Sequence, residues 1–139
     1  MKKIQQHILV SLLIVMMTLT SCFEERDDDY KIVGAVASIP SLTLSKTNPV
    51  VGEQITISFR YYSERVPVNE IRLTETIGTG TASVVQTKSI TGFDVKNSYN
   101  DSFTYAVPSV TVGTKIILAV EVQTENELKN SRAGTITVN

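Results

Sequence analysis

Gln54-Ile55-Thr56-Ile57-Ser58-Phe59-Arg60-Tyr61 alternates polar and apolar residues at every step. Side chains along a strand point to opposite faces with a period of two, so Ile55, Ile57, Phe59 and Tyr61 share one apolar face and leave the other wet. That pattern describes a half-buried antiparallel strand. Towards the C-terminus, Ile116, Leu118, Val120 and Val122 alternate in the same way, while Ile117 and Ala119 make the opposite face partly apolar, as expected of a central strand. Residues 131–138 place Ile136 and Val138 inward, and residues 124–130 supply polar side chains for a hairpin connection, so these two strands are expected to pair. Further strands are expected over 42–45, 70–76, 82–87 and 102–107. They are bounded by Asn48-Pro49, Gly78, Gly80, Gly92, Pro108 and Gly113. About seven short strands in one body, with no stretch of helical periodicity, predict an all-β antiparallel sandwich.

The opening Leu42-Thr43-Leu44 with Asn48-Pro49-Val50-Val51-Gly52-Glu53-Gln54, and the closing Ala133-Gly134-Thr135-Ile136-Thr137-Val138, resemble bacterial Ig-like and PKD-like domains. The resemblance implies a single Ig-like β-sandwich over 41–139. With one cysteine and no tryptophan in the chain, the disulfide and buried indole of antibody domains are excluded. Residues 32–40 are compatible with a first edge strand or with the end of a linker.

The N-terminus has the layout of a secretory signal: Met1, Lys2 and Lys3, then an apolar run over 8–17 interrupted only by Ser11. The run falls short of the roughly 20 apolar residues that span a bilayer. It ends in Leu19-Thr20-Ser21-Cys22, which closely resembles the lipobox of bacterial lipoproteins, so residues 1–21 are expected to be removed and Cys22 acylated. A thiolate is the nucleophile that can take up a diacylglycerol group, and the small Thr20 and Ser21 give a peptidase access to the backbone. Two or more acyl chains, at about 0.8 kcal/mol per buried methylene, anchor a protein firmly in a bilayer. The acids that follow, Glu24, Glu25, Asp27, Asp28 and Asp29, are too densely charged to bury themselves and make 22–40 an extended linker. They also resemble the sorting signal of Bacteroidetes surface lipoproteins. That resemblance implies a lipid anchor in the outer membrane with the domain facing the exterior.

The chain carries 14 acids and 13 bases, with Lys2 and Lys3 in the signal. From Ile32 onward the charges balance at nine of each sign. A neutral body without a basic stripe excludes nucleic acid as the expected partner.

His7, the one histidine, leaves with the signal, and the one thiol is acylated. Ser-His-Asp and Cys-His catalysis, and histidine or cysteine zinc sites, are therefore unavailable to the processed chain. Paired carboxylates could still act as acid and base. Glu70 and Glu75, however, have odd spacing on one strand and fall on opposite faces, so the chain is read as a non-enzyme. Asp94, Asn97, Asn100 and Asp101 form an oxygen-donor cluster that would suit calcium, although the same residues serve turn geometry; no other cofactor is implied. Among the aromatic residues, Tyr62 and Tyr99 are the candidates for exposed rings on which a sugar could stack.

Three functions fit these readings. The first is a lipid-anchored surface module that binds or adheres through its Ig-like domain, with a glycan or an envelope protein as partner. The second is a structural accessory of an outer-membrane uptake or secretion complex. The third is a hydrolase that uses carboxylates. An exposed edge strand would suit a partner that adds a strand of its own.

Overall fold

The structure, a computed structural model, describes residues 36–139. Seven strands follow one another: β1 (Ser38–Leu44), β2 (Gln54–Tyr62), β3 (Val68–Ile77), β4 (Ser83–Ser89), β5 (Ser98–Ala106), β6 (Lys115–Thr124) and β7 (Lys129–Thr137). They form two antiparallel sheets, one in the order β1-β2-β5 and the other in the order β4-β3-β6-β7. The described chain is thus an all-β sandwich. In constant-type Ig domains the fourth strand joins the first, second and fifth. Here it has moved across to pair with β3, leaving a narrow sheet of three strands facing a broad one of four.

Alternation accounts for the core. Ile55, Ile57, Phe59 and Tyr61 of β2 face Ile71 and Leu73 of β3 and Ile116, Leu118, Val120 and Val122 of β6, all of them buried. Each such side chain contributes roughly 1.5–3 kcal/mol on leaving water, which makes this layer the main source of stability. β6 lies between β3 and β7, with Ile117 on its outer face 41% exposed. The β6–β7 hairpin turns through residues 125–128 with Glu127 at φ 64, and the amide of Thr124 donates to the carbonyl of Leu128 at 3.0 Å. Entry into β2 is set by Gly52 at φ 79, a conformation that favours glycine.

β1 begins at Ser38, so residues 38–40 are strand, with Ala37 and Ile39 buried against the core. Its register with β2 shifts between Ser38 and Ser41, which places Pro40 on an edge strand at an irregular point, where a missing amide hydrogen is tolerated.

Both edges of the three-stranded sheet are capped by side chains from the edge strands of the other sheet. On one side, Asn130 of β7 donates to the carbonyl of Ala37 at 2.9 Å, and Arg132 donates to Ile39 and Pro40 at 3.0 and 2.8 Å. On the other side, Gln86 of β4 donates to the carbonyl of Thr104 at 2.6 Å, and Lys88 donates to that of Ser102 at 2.7 Å. In each case residues i and i+2 of a strand reach in the same direction, as the pleat requires. The carbonyls of Ala37, Ile39, Pro40, Ser102 and Thr104 are thereby occupied, which makes these stretches of edge less open to a foreign strand.

Candidate functional site

With its edges capped and its inner face in the core, the three-stranded sheet offers its outer face. Antiparallel register aligns the wet positions of β1, β2 and β5 into rows: Ser41, Arg60 and Asn100 form one row, and Thr43, Ser58 and Ser102 the next. Thr56 and Thr104 continue the pattern. Neighbouring strands lie about 4.8 Å apart, so these short side chains make a dense field of hydroxyl and amide groups. A cleft of about 450 Å³ lies over it, lined by Ser41, Thr43, Ser58, Asn100 and Ser102 together with Phe59 and Asp101. Further along β2 a second cleft of about 300 Å³ is lined by Arg60, Tyr62, Glu64, Lys96, Asn97 and Ser98 together with Val95.

Arg60 is the one charged residue among the outward positions of these three strands. Its Nη2 donates to Ser98 Oγ at 2.8 Å, which fixes the direction of the guanidinium, and among the described residues no carboxylate lies within ion-pairing distance of it. The outer face of the broad sheet differs. There Arg72 pairs with Glu70 and, at 3.7 Å, with Glu121, and Lys129 pairs with Glu121 at 3.1 Å. Glu70, Arg72, Glu121 and Lys129 on the broad sheet pair with one another, whereas the cation on the narrow sheet is left for solvent or a ligand.

The residues expected to act as sites take distinct places. Asp94 and Asn97 come together in the turn before β5: the Asp94 carboxylate accepts from the amide of Lys96 at 2.9 Å and from Asn97 Nδ2 at 3.1 Å. Asn100 and Asp101 are consecutive on β5, so their side chains leave opposite faces of the strand, Asn100 outward and Asp101 towards Lys88 of the other sheet, although both residues line the outer cleft. Asp101 Oδ1 accepts from Lys88 Nζ at 2.7 Å, so the four residues expected to form a calcium shell are divided by the pleat. Tyr62 lines the second cleft on the outer side. Tyr99, expected to be exposed, turns inward instead: its ring packs 5.6 Å from Tyr61 and 4.7 Å from Phe93, and its hydroxyl accepts from the amide of Asp94 at 2.9 Å. Burial, with Asp101 and Tyr99 nearby, raises the Tyr61 phenol above its ordinary pKa. Cys22 and the acids Glu24, Glu25, Asp27, Asp28 and Asp29 lie outside the described residues.

Glu70 and Glu75 are indeed on opposite faces. Glu70 lies beside Arg72 on the outer face, while Glu75 accepts from the buried Tyr105 hydroxyl at 2.5 Å. Arg60 and the hydroxyl rows are the part of the surface that the sequence reading passed over. The signal was present in the quoted strand, in its wet positions Thr56, Ser58 and Arg60, but its significance depends on which strands lie alongside.

No family model matches the chain, and no curated protein sequence matches it. Solved structures share its fold. The sporulation control protein Spo0M from Bacillus subtilis superposes with a TM-score of 0.52 at 15% identity, over 76% of this chain and 50% of that one. A Niemann-Pick type C2 protein from Japanese carpenter ant superposes with a TM-score of 0.56 at 11% identity, over 76% of this chain and 96% of that one. A DUF4466 family protein from Parabacteroides merdae gives 0.55 at 11% identity, over 73% of this chain and 45% of that one. This chain therefore spans about half the length of the first and third. At these identities the likeness is one of fold, and function has to be argued from the surface itself.

Proposed function

We propose that this chain is an exported lipoprotein, acylated at Cys22, whose Ig-like sandwich is a non-catalytic binding module on the outer membrane, facing the exterior and working through the outer face of β1, β2 and β5. The location rests on the Leu19-Thr20-Ser21-Cys22 junction and the acids behind it. The observation that carries the binding role is the row of hydroxyl and amide groups around an Arg60 without a carboxylate partner among the described residues. Such a surface can hold a ligand by many hydrogen bonds. Cys22→Ala tests the anchor: the protein is expected to leave the outer-membrane fraction, and retention there would overturn the claim. Protease added to intact cells should degrade the wild-type domain if it faces outward.

The free edge of β4 favours a second reading, an accessory subunit of an envelope complex. β4 is an edge strand of the broad sheet, and its Val84 and Val85 are 57% and 37% exposed. A partner adding a strand there would co-purify in stoichiometric amount.

A further inference from the structure

Resting on the binding-module reading above, we infer that the outer face of β1, β2 and β5 takes an acidic oligosaccharide, with a sugar carboxylate on the Arg60 guanidinium and a sugar ring against Tyr62. Ser58, Arg60 and Tyr62 follow one another at every second position of β2, and the two clefts lie over them in the same order. A two-residue step along a strand is about 6.8 Å, so the three side chains form a linear track suited to a chain-like ligand.

The chemistry of the face selects the class. A nucleic acid carries a charge for every phosphate and needs several cations, whereas the two clefts hold only Arg60 and Lys96, offset by Glu64 and Asp101. A lipid tail or an apolar helix needs a groove lined mainly by apolar side chains, and here Phe59 is the one apolar residue among Ser41, Thr43, Ser58, Asn100, Asp101 and Ser102. A peptide adding a strand needs a free edge, and each edge of this sheet is partly taken up by side chains, Asn130 and Arg132 on one and Gln86 and Lys88 on the other. A polyhydroxylated chain matches closely spaced hydroxyls that can each donate and accept. Arg60 adds the charge preference. A guanidinium presents two parallel N–H groups to a carboxylate, and here it is held in place by Ser98 while lacking a protein carboxylate among the described residues. Tyr62, half-buried beside it, supplies a ring against which the apolar face of a pyranose packs.

Calorimetric titration of the full-length protein in detergent with trigalacturonate, its methyl ester and maltotriose tests the inference. Trigalacturonate is expected to bind, and the ester to bind about tenfold more weakly, the loss of one charge-assisted pair. Arg60→Gln should weaken trigalacturonate by a similar factor and leave the ester unchanged. Lys115→Gln, on the outer face of the broad sheet, should leave both unchanged. Equal binding of acid and ester, or equal losses from Arg60→Gln and Lys115→Gln, would overturn the inference, the second outcome marking diffuse attraction of polyanions. Maltotriose binding as well as trigalacturonate, and lost in Tyr62→Ala, would overturn the acidic preference while keeping the binding face. No binding of any of the three sugars, with Cys22 still required for membrane fractionation, would overturn the inference and leave the anchored module standing.

Discussion

Lys88 Nζ on β4 sits 2.7 Å from Asp101 Oδ1 on β5 and 4.7 Å above the ring centre of Phe103, joining the edge of one sheet to the edge of the other. The same ammonium also donates to the carbonyl of Ser102. Three partners for one cation make a clasp whose strength is spread over several contacts, and both side chains remain partly open to water, which screens the charge. Lys88→Met should destabilise the fold by about 1 kcal/mol, and a double-mutant cycle with Asp101→Asn should assign less than about 1 kcal/mol to the ion pair alone. Urea unfolding of the four proteins measures both quantities.

The opposite clasp should matter more locally than globally. Arg132 reaches the carbonyls of Ile39 and Pro40, and without it the outer edge of β1 would lose charged donors worth about 1.5–3 kcal/mol each at most. Arg132→Met is expected to speed protease cleavage near Pro40 and to speed hydrogen exchange in β1, while exchange in β6 stays close to wild type. Equal acceleration in both strands would mean that Arg132 supports the whole sandwich.

Gly134 of β7 lies against the partly buried Leu42 and Leu44 of β1. A Cβ at Gly134 would meet Leu44 Cδ1 at 2.9 Å and Leu42 Cδ2 at 3.2 Å, both at the ends of flexible side chains. Gly134→Ala should therefore change stability by less than about 1 kcal/mol, whereas the branched side chain of Gly134→Val should cost about 1–3 kcal/mol by displacing β1. Thermal unfolding of the two variants separates these cases.

Burial, aided by the hydrogen bond to Glu75, raises the Tyr105 phenol well above the ordinary tyrosine range near pH 10. The native state therefore holds its proton at pH values where the unfolded chain releases it. The stabilisation is complete below about pH 10 and is lost as pH climbs towards the raised native value. Melting temperature should fall from about pH 10 upward. Tyr105→Phe should flatten that fall, leaving the smaller part due to Tyr61, and should lower stability near neutrality by about 1 kcal/mol because Glu75 loses its donor. An unchanged slope in Tyr105→Phe would remove Tyr105 as the cause.

The strands themselves were legible because alternation is local. Ile55 to Tyr61 and Ile116 to Val122 declare their buried faces without reference to any neighbour, and both faces are buried as expected. Tyr99 shows where a local reading stopped short. Phe103 and Tyr105 are buried, and the same parity carried back along the strand turns Asp101 and Tyr99 inward as well. Starting that strand at Ser102 hid the relation, since the polar Ser98, Asn100 and Ser102 look like loop residues until they are paired with Tyr62, Arg60 and Ser58.

By itself the sequence determined the all-β class, the inward faces of the strands, the pairing of β6 with β7, and the balance of charge in the body. All of these depend on neighbouring positions along the chain or on composition alone. Only the tertiary structure decided that β4 joins β3, that polar side chains close both sides of the narrow sheet, and that Arg60 lies among hydroxyls without a carboxylate beside it among the described residues. Those outcomes depend on which strands lie next to one another. Strand pairing brings together residues far apart in the chain, and a period of two says which way a side chain points but never what it will face.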